Sequence, residues 1–304
     1  MKTSLFITGA GGFVARNLLR RMNPRDFEHV YCLKRTGSMI EDLPACDNVT
    51  VIEGGLYDSS VYVPYLTSSD VVLHLAAITG KARPDEYFDV NAKGTEFLVK
   101  QCVQAGVKNF LHVSTIAVKF DNVSRYYYAQ SKRQSEDSVR RSGINYAIVR
   151  PTIIIGKGSP VWNNFLKLAK APVPLLFGNG KVKIQPIYID DMIECLLTII
   201  RETIFHNETF EMGGPEIIAI EDFLVRIYRM LYKKDPKIVH IPLTVLIPLL
   251  SFMEKPFYSF LPFTAGQLST FRYDGTAEKN ELFDRYFPSM KHIDEMIRTL
   301  TTNG

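Results

Sequence analysis

Seven short apolar runs punctuate the chain, at 3–8, 29–34, 49–53, 70–75, 109–114, 145–150 and 208–212. Between them lie stretches whose apolar residues recur at helical spacing, chiefly 13–22, 88–105 and 127–141. Strands alternating with helices predict an α/β fold, a doubly wound parallel sheet with helices on both faces. "DVVLHLAA" (70–77) and "INYAIVR" (144–150) are nearly continuous apolar runs, as strands covered on both sides require.

Past residue 157 the rhythm changes. "KAPVPLLFGNG" (170–180) reads as a Pro/Gly-rich loop, and a helix is expected from about 190 to 202. It starts behind Asp190 and Asp191, whose carboxylates suit a helix N-terminus. The expected division is a Rossmann-type dinucleotide domain over 1–157, with a returning strand and helix at about 185–213. A smaller, mainly helical substrate lobe takes 158–184 and 214–304. Ligands of such sheets bind outside the carboxyl ends of the strands.

Composition narrows the function classes. The 304 residues are 46 % hydrophobic and 22 % charged, with a net charge of +4 spread along the chain. No dense Lys/Arg tract exists, which argues against nucleic acid as a partner. The cysteines, at 32, 46, 102 and 195, have no metal-ligand or disulfide-framework spacing, and the six histidines show no ligand pattern, so no metal is expected. The first strand begins almost at Met1, so no signal peptide is expected and the cytoplasm is the default location. The segment 241–263, "IPLTVLIPLLSFMEKPFYSFLPF", is strongly apolar but is interrupted by Glu254 and by prolines at 242, 248, 256 and 262. A spanning helix needs about 20 unbroken apolar residues. The segment therefore reads as lobe packing, with membrane or partner contact as the alternative.

The chemistry begins at "FITGAGGFVA" (6–15), where a strand meets three glycines and a helix follows. Counted from Gly9 as G-x-x-G-x-x-G, the slots fall on Gly9, Gly12 and Ala15. Gly9 permits the tight turn and Gly12 lets the backbone approach a pyrophosphate. The helix N-terminus supplies N–H donors, and Ala15 is small enough for helix–strand packing. The second strand ends in "VYCLKRTGS" (30–38), with Lys34 and Arg35 where an NAD site usually places an acid. That favours the 2′-phosphate of NADP, with NAD as the alternative. Further on, "STIAV" (114–118) ends a strand and "YAQSK" (128–132) opens a helix. Tyr128 and Lys132 are four apart and share a helix face. An ammonium beside a phenol favours its ionised form, so Tyr128 suits general acid/base work on a hydroxyl or carbonyl. Thr115 or Ser114 could hydrogen-bond the substrate oxygen.

"TGAGGFVA", "HLAA" (74–77), "FDVNAKGT" (88–95), "STIAV", "YAQSK" and "VRPTIIIG" (149–156) occur in that order. Together they resemble the extended short-chain dehydrogenase/reductases, the NAD(P)-dependent epimerase/dehydratase group, over nearly the whole chain. The resemblance implies that Gly9, Gly12, Phe13 and Val14 wrap the pyrophosphate, and that Leu75, Ala76 and Ala77 line the adenosine side. It implies that Asn91 bridges elements, and that Thr115, Tyr128 and Lys132 are catalytic, with Lys132 also on the nicotinamide ribose. Pro151 and Ile153 would flank the nicotinamide. Where the group often has Asp after the third strand, "EGGLYD" (53–58) places Gly55, leaving the backbone of Gly55 and Leu56 toward adenine and Asp58 a structural role.

"VPLLFGNGKVKIQPIYIDDM" (173–192) and "FEMGGPE" (210–216) are similar to a branch that includes the NAD(P)H-binding accessory subunit of respiratory complex I and bacterial nucleoside-diphosphate-sugar epimerase-like proteins. The Asn and Arg that sugar-nucleotide epimerases tend to carry near "RPTII" and "KIQPIYIDD" are absent. The implied function is hydride transfer on a hydroxyl or keto small molecule, a nucleoside-diphosphate sugar being one class. The competing reading is a cofactor-binding assembly protein of a membrane complex, without turnover. The group's usual homodimer uses the helix at 127–141.

Overall fold

The computed structural model describes residues 2–40, 46–279, 285–286 and 289–302. Its centre is a seven-stranded sheet. Six strands are β1 (Leu5–Thr8), β2 (Val30–Lys34), β3 (Val49–Glu53), β4 (Val71–His74), β5 (Asn109–Val113) and β6 (Asn145–Pro151), and the seventh is Glu208–Met212. The order across the sheet is Glu208–Met212, β6, β5, β4, β1, β2, β3. Every pairing from β3 through to β6 is parallel. The seven apolar runs of the sequence are these seven strands, displaced at their ends by a residue or two.

The order reverses between β1 and β4, the position where an open α/β sheet forms its ligand crevice. Helices α1 (Phe13–Arg21), α2 (Ser59–Leu66), α3 (Pro84–Tyr87), α4 (Gly94–Gln104) and α5 (Tyr127–Arg140) cover the connections. The stretch expected as one helix over 88–105 is broken. Residues Phe88–Lys93 form a π-helical turn between α3 and α4, a distortion that recurs at functional sites. Asn91 lies in this turn with both ends of its amide engaged. Its Oδ1 accepts from the Ile78 N–H at 2.8 Å, and its Nδ2 donates to the Ile78 carbonyl and to Ser131 Oγ. Gly94 follows, packed so closely that a Cβ there would sit 2.9 Å from Leu56.

Two compact units make up the chain. The first comprises residues 1–115, 130–150 and 192–210; the second comprises 116–129, 151–191 and 211–304. Phe6, Tyr62, Leu98, Phe110, Val139 and Ile148 are fully buried in the core of the first. Their burial accounts for the apolar faces of α2, α4 and α5. In the second unit, α6 (Pro160–Lys170), α8 (Ile220–Tyr232) and the helix Ile293–Thr302 pack around Trp162, Phe165, Phe223, Ile227 and Ile297. A separate cluster joins α9 (Leu243–Phe257) to α10 (Ala265–Ser269) through Leu243, Ile247, Leu250, Leu261 and Leu268. Helix α7 (Ile189–Arg201) starts at the acidic pair, as its sequence predicts.

Candidate functional site

The glycine turn has the geometry a pyrophosphate requires. Gly9 sits at φ +69°, and a Cβ added there would lie 2.7 Å from the backbone of Ala76, so any side chain is excluded by strain and by space. Gly12 donates its N–H to the Gly9 carbonyl at 2.8 Å and is the N-cap of α1. No side chain caps α1 and no acid lies in its first turn, which leaves the dipole unopposed toward an anion. Phe13 and Val14 open the helix, and Ala15 is buried beneath it. The residues present thus fit a dinucleotide pyrophosphate.

A chain of hydrogen bonds fixes the wall opposite Gly9. The Ala76 N–H donates to Thr8 Oγ1 at 3.2 Å, and Thr8 Oγ1 lies 2.7 Å from His74 Nδ1. His74 Nε2 lies 2.9 Å from Thr95 Oγ1, whose hydroxyl donates to the Asn91 carbonyl at 2.6 Å. Because Thr95 spends its proton on that carbonyl, it accepts from His74 Nε2–H, and Nδ1 accepts from Thr8. This assigns the tautomer by network logic. Burial, with a lesser contribution from the Lys132 charge, pushes His74 down to about 3, so the ring is neutral as the chain requires. Leu75, Ala76 and Ala77 follow directly and carry the strand end past the glycines.

Beside the basic pair expected to face the adenosine ribose, the structure places a carboxylate. Lys34 and Glu53 are paired across β2 and β3, and Lys34 Nζ forms an ion pair with Glu53 and donates to the Ser38 carbonyl at 2.8 Å. Arg35 is exposed beside it. Of the two cations expected for a 2′-phosphate, one is therefore neutralised. Gly55 donates its N–H to Asp58 Oδ2 at 2.7 Å, and the Leu56 carbonyl accepts from the Tyr62 hydroxyl at 2.6 Å. Those two backbone groups are engaged within the turn, and Asp58 has the structural role its position implies.

Lys132 is 2 % exposed and donates from Nζ to the Val113 carbonyl at 2.8 Å. His112 Nε2 lies 3.4 Å from the same Nζ and 2.9 Å from Ser135 Oγ. Its ring stacks on His74 with centroids 5.3 Å apart. Burial pushes Lys132 down to about 7, opposed by the charge of Glu136. His112 is held well below its usual range, first by burial and then by the Lys132 charge. Glu136 is fully buried and takes Arg150 through two bonds, Nε at 2.9 Å and Nη2 at 2.6 Å, with Arg140 Nη2 at 2.7 Å. Burial raises its pKa, but the Arg150 hydrogen bonds and the two arginine charges outweigh that and leave the carboxyl below its ordinary value.

Ser114 is buried and Thr115 half-buried just beyond β5. The Ser114 hydroxyl faces Glu136 and helps to keep its carboxyl ionised. Tyr128 is half-buried in the first turn of α5, its ring 5.7 Å from that of Tyr126. Helix α5 therefore carries Tyr128 and Lys132 one turn apart, as the Y-x-x-x-K spacing predicts. Pro151 ends β6 in burial, and Ile153 packs half-buried against the core of the second unit. Sequence reasoning missed Glu53, His74, His112, Glu136 and Arg150. His74 and Arg150 stand in the motifs "HLAA" and "VRPTIIIG" without a role that the motifs reveal, and Glu136 lies one helical turn past Lys132.

With this geometry in view, the comparisons with known proteins agree on one group. The sequence model described as the NAD dependent epimerase/dehydratase family matches residues 5–213. A UDP-glucose 4-epimerase of Vibrio cholerae is 26 % identical over 248 residues, covering 73 % of this chain and 74 % of that protein. Among solved structures, a dTDP-glucose 4,6-dehydratase from Streptomyces venezuelae with NAD bound superposes with a TM-score of 0.74 at 18 % identity, covering 98 % and 96 % of the two chains. A nucleoside-diphosphate-sugar epimerase from Staphylococcus aureus superposes with a TM-score of 0.76 at 16 % identity, covering 97 % and 99 %.

Proposed function

The chain belongs to the NAD dependent epimerase/dehydratase family, and from that premise we propose that it is an enzyme acting on a sugar nucleotide with a retained nicotinamide cofactor. The observation that carries this is Lys132, buried one helical turn after Tyr128 with its pKa brought down to about 7. A structural lysine gains nothing from such a position, because burying its charge is costly. A bound nicotinamide supplies reversible hydride acceptance at the substrate carbon. Tyr128 exchanges the proton at the substrate oxygen, and Lys132 in its charged form favours the tyrosinate. Ser114 or Thr115 orients that oxygen by donating a hydrogen bond.

The names of the matched proteins support the substrate class. The missing Asn and Arg near residues 152 and 184 point to a sugar held otherwise than in the UDP-sugar epimerases. The test is purified protein with UDP-glucose and dTDP-glucose, followed by NMR of the sugar protons and by absorbance of the protein-bound cofactor. Conversion without net reduction of added cofactor supports the reading. Stoichiometric consumption of free cofactor assigns a plain reductase. Nucleotide binding with no conversion of any sugar nucleotide moves the chain to the assembly reading. The homodimer expectation rests on the family resemblance alone, through the helix at 127–141.

For the cofactor, Arg35 favours the 2′-phosphate while Glu53 holds Lys34. The reading is acceptance of NADP beside NAD rather than exclusive use of either. Glu53→Gln releases the Lys34 charge, and the ratio of NADP to NAD affinity should rise by about tenfold, the effect of roughly one partly screened charge. Calorimetric titration with both cofactors checks this, and an unchanged ratio removes Lys34 from the ribose site.

A further inference from the structure

We propose that the outer face of α9 is a docking surface for an anionic lipid bilayer, holding the protein peripherally at a membrane. Helix α9 is apolar on both sides. Leu243, Ile247 and Leu250 are buried against Leu261 and Leu268. The opposite stripe follows the helical period through Thr244, Val245, Pro248, Leu249, Phe252 and Pro256, all exposed. Phe252 is 80 % exposed and Val245 65 %, and Phe260, just past the helix, is 87 % exposed. A helix hydrophobic all round belongs in a core or against lipid, and this one shows half its circumference to solvent. At Leu243–Phe257 it is far too short to span, and no described helix is long and apolar enough to cross a membrane. The stripe can therefore only lie on a surface.

Charge selects the occupant. From Lys237 to Tyr273 the sequence contains a single acid, Glu254, and its carboxylate is turned inward to accept the Ala265 N–H. The same interval carries Lys237, His240, Lys255 and Arg272. Arg125 reaches α9 as well, donating to Ser251. The interval thus carries a net positive charge, although its His240 meets the Glu221 carboxylate at 3.1 Å; a cationic stretch attracts anionic headgroups, at about 1 kcal/mol per Lys or Arg near the surface. A protein partner or a second copy would more naturally be met by a stripe rimmed with both signs. Three phenylalanines (252, 257 and 260) stand out along it, each large enough to insert at the headgroup–acyl boundary.

The experiment is vesicle flotation of the full chain, using phosphatidylcholine alone and phosphatidylcholine with phosphatidylglycerol. The wild type should float with the anionic vesicles, and less so at high salt. The double variant Phe252→Ser, Phe260→Ser should reduce the bound fraction at least about tenfold, since each loses a buried aromatic's worth of apolar area. Both residues are exposed, so circular dichroism and the melting curve should not move. Lys237→Gln with Arg272→Gln should weaken binding to the anionic vesicles only. Wild type that fails to float overturns the proposal, as does flotation indifferent to the double variant. A soluble dimer that the double variant dissolves, with no vesicle binding, assigns the face to a second copy and overturns it equally. None of these readouts depends on turnover.

Discussion

Tyr128→Phe is expected to lower kcat by about 10²- to 10⁴-fold, the range that a positioned proton donor contributes. Cofactor affinity should stay near the wild-type value, because the proposed pyrophosphate turn is built from β1 and α1 and takes nothing from the Tyr128 hydroxyl. Phenylalanine keeps the ring and its packing against Tyr126, so the loss isolates the hydroxyl. Tyr127, 40 % exposed and without a lysine or arginine one turn on, is the control, and Tyr127→Phe should change nothing. Steady-state kinetics on whichever sugar nucleotide is converted, with calorimetry for the cofactor, gives both numbers. Full activity in Tyr128→Phe would remove the acid/base assignment. Loss of cofactor binding together with activity would show a folding defect instead.

Lys132→Met should separate function from stability. Activity should fall by about 10²-fold or more, because the phenol loses its electrostatic support. The melting temperature should rise. Lys132 has a pKa of about 7 in the folded chain against 10.5 in the open. Between those values the unfolded chain binds more protons, so the contribution of this group to stability increases with pH from about 7 to 10.5. At neutral pH and below, the buried ammonium costs the fold several kcal/mol on this scale, and methionine removes that cost. Part of the gain is offset because the Val113 carbonyl loses its donor, leaving a net increase of about 1–3 kcal/mol. Thermal melts of both proteins at pH 7 and pH 10 check the sign: the gap should narrow at the higher pH. An equal gap at both values would mean that the Lys132 ammonium is not desolvated.

The strands were legible because a strand covered on both faces must be apolar along its length, and that pattern survives in any reading frame. Glu53 shows the opposite case. Its neighbours in sequence are Ile52 and Gly54, and nothing there indicates that the parallel register of β2 and β3 places it against Lys34. His74 sits in "HLAA", a motif the sequence displays, yet its role depends on Thr8 and Thr95, 66 and 21 residues away. The single helix expected over 88–105 failed at Asn91, where hydrogen bonds to Ile78 and Ser131 accompany a π-turn that no propensity encodes. The segment 241–263 was read as lobe packing with membrane contact as the alternative. One face of α9 packs, and its other face stays in solvent.

Local sequence determined what local physics controls. Glycine at position 9 permits φ +69°, Tyr128 and Lys132 share a helix face by spacing alone, and seven apolar runs make a sheet. Tertiary structure decided everything that depends on which distant groups meet in a region without water. It took Lys34 partly out of use by pairing it with Glu53, made His74 neutral, and lowered the Lys132 ammonium by burying it. Desolvation is a property of the surrounding atoms rather than of the residue, and so cannot be read from the residue's place in the chain.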